Sequence, residues 1–449
     1  MKYLYPDFLK NIKNSHQIEK DSTVIIAFSG GKDSLTLLLL LKELQKDVGF
    51  KLLAAYFNHR IRADAEAEEQ WVKNLCASKE VELEVGEGDV IEYKNKHKLN
   101  LENAASILRT RFLKKVASKR PNAKIATAHT KSDLTETFFI KLFRGSGSRG
   151  LSGIYSKVGE EMIRPLLIFT QKDILSFLER NNIQYYRDYT NKQQVFLRNR
   201  IRHVLMPEIE KIEPHIDDHV ARTVYMIQEE YDYFKKLAEK ILAENLIVNK
   251  ILPVEVIKKN HPAVQRFVLR EYIRRLKGDL LDIDFAHVEN ILSGISTSKG
   301  IAIPGLELKF HKGYIYPKSL TIPDYNYMVE SACILEIGET GKKIMIEKET
   351  PCPGKPGTNF EALLPLSTVK FPLTIRSPRK GDRYIKLNST LNLRVFEMIR
   401  EAGFPAELRN LCPLVSNGDG RLIWSVGSPL ADTFKVNPED RQCLRIRCL

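Results

Sequence analysis

Residues 24–34 constrain this chain more than any other stretch. An apolar run, Val24-Ile25-Ile26-Ala27-Phe28, enters Ser29-Gly30-Gly31-Lys32-Asp33-Ser34 and continues directly into a leucine-rich helical pattern over residues 35–44. Glycines at 30 and 31 reach backbone angles closed to other residues, so successive N–H groups can converge on an anion at a helix N-terminus, where the helix dipole adds partial positive charge. The turn therefore reads as a phosphate cradle. It is not a Walker A loop, because Ile26 stands at that motif's first glycine position and Asp33 follows Lys32 where Ser or Thr is required.

The run before the turn is apolar on both faces, as a central parallel strand should be, and a second such run, residues 51–57, follows one helix later. The second run ends in Asn58-His59-Arg60, and a third, from Lys124 to Ala128, ends in His129. Three strand ends thus meet at the carboxyl edge, where open α/β sheets bind ligands.

With 449 residues the chain is long enough for two to four domains, and its net charge of +14 points to a polyanionic partner. The N-terminus lacks the apolar core of a signal peptide, and the longest apolar stretch, around residues 35–41, is too short to span a bilayer. The expectation is a soluble cytoplasmic protein with no membrane partner. Six cysteines show no Cys-x-x-Cys pair or His-coupled spacing, so they read as reduced structural thiols, without zinc or disulfides.

Doubly wound alternation occupies the first 210 residues, with helical patterns near 32–47, 64–80, 100–120 and 131–143. Residues 211–325 read as a largely helical domain, with helices near 217–244, 261–276 and 284–292 and short strands from 299 onward. Residues 326–449 read as a Pro-rich linker or exposed loop at 350–358 followed by a small α+β domain, with strands near 373–377, 414–416, 422–426 and 443–447 and a helix near 393–402. The fold class expected is α/β, a doubly wound and mostly parallel sheet, followed by a helical domain and a small α+β C-terminal domain.

The densest chemistry lies in Thr127-Ala128-His129-Thr130-Lys131-Ser132-Asp133-Leu134-Thr135-Glu136 and in the loop Arg144-Gly145-Ser146-Gly147-Ser148-Arg149-Gly150. Asp133 and Glu136, three apart, share a helix face beside His129, which suits a cationic amine or a magnesium ion. A solvated helix start is the structural alternative. The loop's two arginines and three glycines suit a phosphate or an RNA backbone.

The Ser-Gly-Gly-x-Asp-Ser turn resembles the pyrophosphate loop of the N-type ATP pyrophosphatases. Together with the Thr-Ala-His helix, Arg-Gly-Ser-Gly leading to Gly150-Leu151-Ser152-Gly153, and Arg164-Pro165-Leu166-Leu167, it resembles the tRNA(Ile)-lysidine synthetase family. The resemblance extends to Asp188-Tyr189-Thr190-Asn191, to Arg198-Asn199-Arg200-Ile201-Arg202, and to the C-terminal Arg376, Arg379-Lys380-Gly381-Asp382-Arg383 and Cys412-Pro413-Leu414-Val415. The chain departs from the family pattern at Ser106, Thr130, Ser132 and Leu134, where Arg, His, Asp and Gln are common.

This resemblance implies that ATP adenylates carbon 2 of the wobble cytidine in the CAU anticodon of tRNA(Ile), and that the ε-amine of free L-lysine then displaces AMP. It implies ATP and Mg²⁺ as cofactors. Ser29, Gly30, Gly31, Lys32, Asp33 and Ser34 would hold ATP phosphates, with Asn58 and His59 flanking the nucleotide. Asp33, Asp133, Glu136 and His129 would form the catalytic set; Asp33 and Asp133 would be the base or the metal ligands, and Glu136 would hold the lysine ammonium. Arg109, Arg144, Arg149, Arg198, Arg200, Arg202, Arg379 and Arg383 would contact tRNA, and the assembly could be a homodimer. Three other readings stay open: a tRNA-thiolating enzyme using the same adenylation, a small-molecule amidating ligase, and a catalytically silent RNA-binding protein on the same fold.

Overall fold

In a computed structural model, which describes residues 3–60, 65–186, 197–297, 300–354, 356–358 and 360–449, the chain divides into two compact units, Met1–Asp232 and Tyr233–Leu449. The first unit opens with α1 (Tyr5–Ser15), β1 (Thr23–Phe28), α2 (Lys32–Val48), β2 (Lys51–Asn58), α3 (Ala65–Ser78) and β3 (Glu82–Glu87). It continues with α4 (Val90–His97), α5 (Leu101–Ala117), β4 (Ala123–Ala126), α6 (Lys131–Phe143), α7 (Ser148–Leu151), β5 (Lys157–Val158), β6 (Met162–Ile163) and α8 (Gln171–Arg180). The strands form one sheet in the order β3-β2-β1-β4-β6-β5, parallel throughout except for the edge pair of β5 with β6.

β1 is apolar on both faces because both are covered. Val24, Ile26 and Phe28 pack with the leucines of α2 and with Phe8 and Ile12 of α1, whereas Ile25 packs on the other side with Leu113 and Val116 of α5. Seven leucines of α2, at 35, 37, 38, 39, 40, 41 and 44, are buried, so this helix is held on nearly all sides and its N-terminus is fixed against the sheet edge. Gly49, at φ +76°, ends it with a left-handed cap that donates to the Gln45 carbonyl. β4 stops at Ala126, shorter than the sequence pattern implies, and residues 127–130 carry the chain from the strand to α6.

In the second unit, helices Pro262–Lys277 and Phe285–Thr297 pack on a four-stranded sheet that includes Leu306–His311 and Tyr314–Pro317. Two further antiparallel four-stranded sheets share a core built around Trp424, Leu444 and Ile446. Strands Asn326–Val329, Ile334–Ile337 and Lys342–Glu349, part of the run of short strands expected from 299 onward, belong to these same two sheets, as does Glu361–Pro365, which the sequence pattern did not mark. The Pro-rich stretch at 350–358, in which 355 lies outside the described residues, accordingly falls between two strands of one sheet, because Lys342–Glu349 and Glu361–Pro365 both pair with Cys443–Cys448. In Lys342–Glu349 the apolar residues are the consecutive Ile344-Met345-Ile346, flanked by Lys and Glu, and only Ile344 and Ile346 are buried, so the strand period is not written as alternating hydropathy. Among the described residues, no helix is long and apolar enough to cross a membrane.

Candidate active site at the carboxyl edge of the sheet

The loop between β1 and α2 is built to leave donors open. Gly31 is the N-cap of α2 in extended geometry and no side chain caps the helix, so the first-turn N–H groups face the loop without a side-chain acceptor. α6 and α8, by contrast, each carry a full capping box, Thr130 with Asp133 and Thr170 with Asp173. Gly30 sits at φ +74°, and a Cβ there would lie 3.2 Å from Trp71 Cζ3 and 3.3 Å from Val72 Cγ2. The buried Ser34 hydroxyl donates to the Gly31 carbonyl at 3.0 Å and accepts from the Ser29 N–H at 3.3 Å, which closes the loop into a ring. An uncapped helix start of this shape fits a phosphate group.

Asp33 follows in the first turn of α2, with Lys32 Nζ at 3.2 Å from its Oδ1. Burial pushes its carboxyl above the usual range, the Lys32 ammonium opposes that rise, and the charge of Asp133 adds to it. Gln171, at the start of α8, donates its Nε2 both to Asp33 Oδ1 at 3.0 Å and to Thr130 Oγ1 at 3.2 Å. Thr130 in turn gives its N–H and its hydroxyl to Asp133 Oδ2, both at 2.9 Å. One line of hydrogen bonds therefore joins the phosphate loop to the carboxylates of α6. Nothing in the sequence pattern singled out Gln171, which lies 138 positions from Asp33 in the chain.

Asp133 and Glu136 are 8% and 3% exposed, so the solvated helix start does not describe them. Their charges are met by two arginines of the segment that begins with the helical turn Leu197–Arg200. Arg198 places Nη2 at 3.0 Å from Asp133 Oδ1 and Nε at 3.0 Å from Glu136 Oε2. Arg202 places Nη2 at 3.0 Å from the same Asp133 oxygen and Nε at 2.5 Å from Glu136 Oε1. Burial would raise the Asp133 carboxyl, but Arg198, the Thr130 N–H and Arg202 together hold it below the usual range. Burial lowers the Arg202 guanidinium, and the Glu136 and Asp133 carboxylates more than restore it.

His129 lies beside this cluster, with Nδ1 at 2.9 Å from Thr127 Oγ1. Burial and the Arg164 charge push it down to about 4, against the pull of Asp133, so the imidazole is neutral at physiological pH. Arg164 is itself fixed by a bond from Nη1 to the Tyr155 carbonyl at 2.5 Å.

The remaining expected residues divide by placement. Asn58 is buried and spends its side chain on the turn after β2, donating to Glu69 Oε2 at 2.9 Å and accepting the Arg60 N–H at 2.9 Å. His59 packs edge-on against Phe57, with ring centroids 5.0 Å apart. Arg109, Arg144, Arg149 and Arg200 are exposed on the first unit, and Arg379 and Arg383 are exposed on the second. Asp188-Tyr189-Thr190-Asn191 lies outside the described residues. Two of the departures noted in the sequence are built into the site: Thr130 caps Asp133, and the Ser132 hydroxyl donates to Asp217 Oδ2 at 2.7 Å while accepting the Gln171 N–H at 3.1 Å.

The donor set also bears on a divalent cation. No group of three or more His, Cys, Asp or Glu side chains among the described residues could hold a metal by itself. Mg²⁺ commonly takes one or two carboxylates and completes its shell with phosphate and water. Asp33, partly exposed beside the loop, fits that role. Asp133 does not while Arg198, Arg202 and Thr130 occupy both of its oxygens.

Residues 4–209 match the family model of the PP-loop domain. The chain is 27% identical over 450 residues to the tRNA(Ile)-lysidine synthase of Caldanaerobacter subterraneus subsp. tengcongensis, covering 98% of this chain and 96% of that one. It is 35% identical over 272 residues to the tRNA(Ile)-lysidine synthase of Thermosipho africanus, covering 61% of each. Among solved structures it is similar to a U34-tRNA thiolase of Methanococcus maripaludis, at a TM-score of 0.44 and 18% identity, over 50% of this chain and 78% of that one.

Proposed function

We propose that the chain is a PP-loop enzyme of the tRNA(Ile)-lysidine synthetase kind and that it ligates free lysine to carbon 2 of the wobble cytidine of CAU-anticodon tRNA(Ile). ATP is the activating substrate, and AMP and pyrophosphate leave. The observation that carries this reading is the hydrogen-bonded line from Asp33 through Gln171 and Thr130 to Asp133, which links a phosphate loop to a buried carboxylate pair.

A carbonyl oxygen on a pyrimidine ring is a poor leaving group, and esterification with AMP makes its departure feasible at neutral pH. The uncapped N–H groups of the loop and Lys32 hold the phosphates, and the raised Asp33 carboxyl stands at their edge. Asp33 would hold Mg²⁺, whose charge would offset that of the departing pyrophosphate. The lysine ammonium, with a solution pKa of about 10.4, is held by Asp133 and Glu136 and must lose a proton before it attacks. Neutral His129 lies beside these carboxylates and can share a hydrogen bond with the amine, but its lowered basicity leaves the proton to a carboxylate, of which Asp33 is made more basic by burial. Arg198 and Arg202 hold the carboxylate positions until the substrate's cation arrives, and they then turn to tRNA phosphates. Arg109, Arg144, Arg149, Arg200, Arg379 and Arg383 add further phosphate contacts, with the region from 211 onward reading the body of the tRNA.

The thiolation reading is disfavoured by Cys76, the one cysteine in the first 330 residues, which is buried in α3 with its thiol pushed up to about 11 by desolvation. Incubation of the protein with ATP, labelled lysine and unmodified CAU-anticodon tRNA tests the proposal. Lysine should enter the tRNA with the wild-type protein and not with Asp33→Ala. Absence of label in the tRNA with the wild type sinks it.

A further inference from the structure

The second unit contains a cavity of about 610 Å³, lined in part by Arg379 and Arg383, the two arginines of this unit placed above against tRNA phosphates. It is within the range of about 300–1,000 Å³ of sites that enclose a small organic molecule. Six basic side chains and two acidic ones line it, together with the rings of Phe396 and Phe404.

The charge is concentrated where the fold would ordinarily avoid it. Strands Arg383–Ile385 and Asn392–Arg394 pair antiparallel with Arg383 directly opposite Arg394. Cross-strand partners have Cβ atoms only about 4.5–5.5 Å apart, and like charges in that position destabilise the pair. The acids in the wall do little to relieve this. Asp382 is taken by Arg376, which binds it through both nitrogens at 2.7 and 2.8 Å, and by the Arg379 N–H at 2.5 Å. Glu397 reaches Arg394 only at 3.8 Å, with both side chains substantially exposed. The Arg376–Asp382 pair, each side chain 12% exposed, instead fixes the turn that carries Arg379 and Arg383 to the rim. A bridging phosphate would resolve the Arg383–Arg394 opposition.

The aromatic side supplies the second half of a recognition site. Arg409 stacks its guanidinium 4.6 Å from the Phe396 ring centroid, and both Phe396 and Phe404 are only partly buried. A partly exposed ring backed by a guanidinium, next to paired arginines, combines a surface for stacking a base with a clamp for its phosphate.

We propose that this cavity takes one unstacked nucleotide of a bound RNA, with its base against Phe396 and Phe404 and its phosphate between Arg383 and Arg394. It rests on the reading above only for the identity of the RNA as tRNA. The test uses the full-length protein and a fluorescein-labelled single-stranded adenosine tetranucleotide, so that it reads the cavity whether or not lysine is ever ligated. Phe396→Leu, which keeps the apolar volume, is expected to weaken binding about tenfold with an unchanged salt slope, as loss of stacking should. Arg383→Gln with Arg394→Gln is expected to weaken binding and to reduce the slope of log affinity against log salt by about 1.5. Lys240→Gln, on helix Ile216–Asn245, is the charge control and should change affinity less than twofold. Tetranucleotide binding that is absent in the wild type, unchanged in the site variants, or equally weakened in the control would overturn the proposal.

Discussion

Glu136→Gln separates the proposed lysine site from the phosphate loop. The side chain is 3% exposed and accepts Arg198 Nε at 3.0 Å, Arg202 Nε at 2.5 Å and Arg202 Nη2 at 2.9 Å. The amide keeps the shape but leaves two guanidiniums facing one carboxylate, and it turns an N–H₂ group toward a donor. Removing one member of a fully buried ion pair costs about 3–5 kcal/mol. The arginine side chains here are 37% and 35% exposed, so water screens part of the loss and a cost of about 1–3 kcal/mol is expected. That corresponds to a fall in Tm of about 3–10 °C. For the lysine ammonium, one charge-assisted hydrogen bond is worth about 1.5–3 kcal/mol, so the lysine KM should rise roughly 10- to 150-fold. AMP transfer to tRNA, followed as pyrophosphate release without lysine, should stay within about threefold, since Glu136 is not part of the phosphate loop. The assay pairs pyrophosphate release with incorporation of labelled lysine over a lysine titration. A lysine KM that moves by less than threefold while pyrophosphate release collapses would refute the assignment of Glu136 to the ammonium.

Gly30→Ala forces a side chain into φ +74° and against Trp71, which should cost at least about 1–2 kcal/mol and weaken ATP binding more than lysine binding; equal ATP affinity in the two proteins by calorimetry would argue against the cradle. Gln171→Leu cuts the bond between Asp33 and Thr130, and a net loss of about 0.5–1.5 kcal/mol predicts a two- to tenfold slower pyrophosphate release, whereas an unchanged rate would make the link incidental. His129 is depressed to about 4 in the fold against about 6.5 in the unfolded chain, so the unfolded state binds more protons between those values and stability falls as pH drops through that window. Urea midpoints at pH 7 and pH 4.5 should therefore diverge more for the wild type than for His129→Gln, and equal acid sensitivity would contradict a buried neutral imidazole.

What the sequence determined by itself is local. The strand, turn and helix at residues 24–44 are legible because both faces of β1 are apolar and the glycines sit where the backbone must bend, and the helical spans at 32–48 and 131–143 follow from periodicity and capping residues. The shared helix face of Asp133 and Glu136 is legible for the same reason, since three residues on a helix nearly complete a turn. Only the tertiary structure decided what meets that face. Arg198 and Arg202 stand more than 60 positions away and read as free phosphate contacts, yet the fold sets them on the buried carboxylates, because charges removed from water require a partner. Gln171 has no motif and acquires its place solely because α8 begins beside both Asp33 and Thr130. Asn58, polar and at a strand end, looked available for a nucleotide until packing gave its amide to Glu69 and the Arg60 N–H. Backbone conformation and helix faces are set by neighbours in sequence, whereas the pairing of buried charges is set by neighbours in space, which periodicity and spacing do not record.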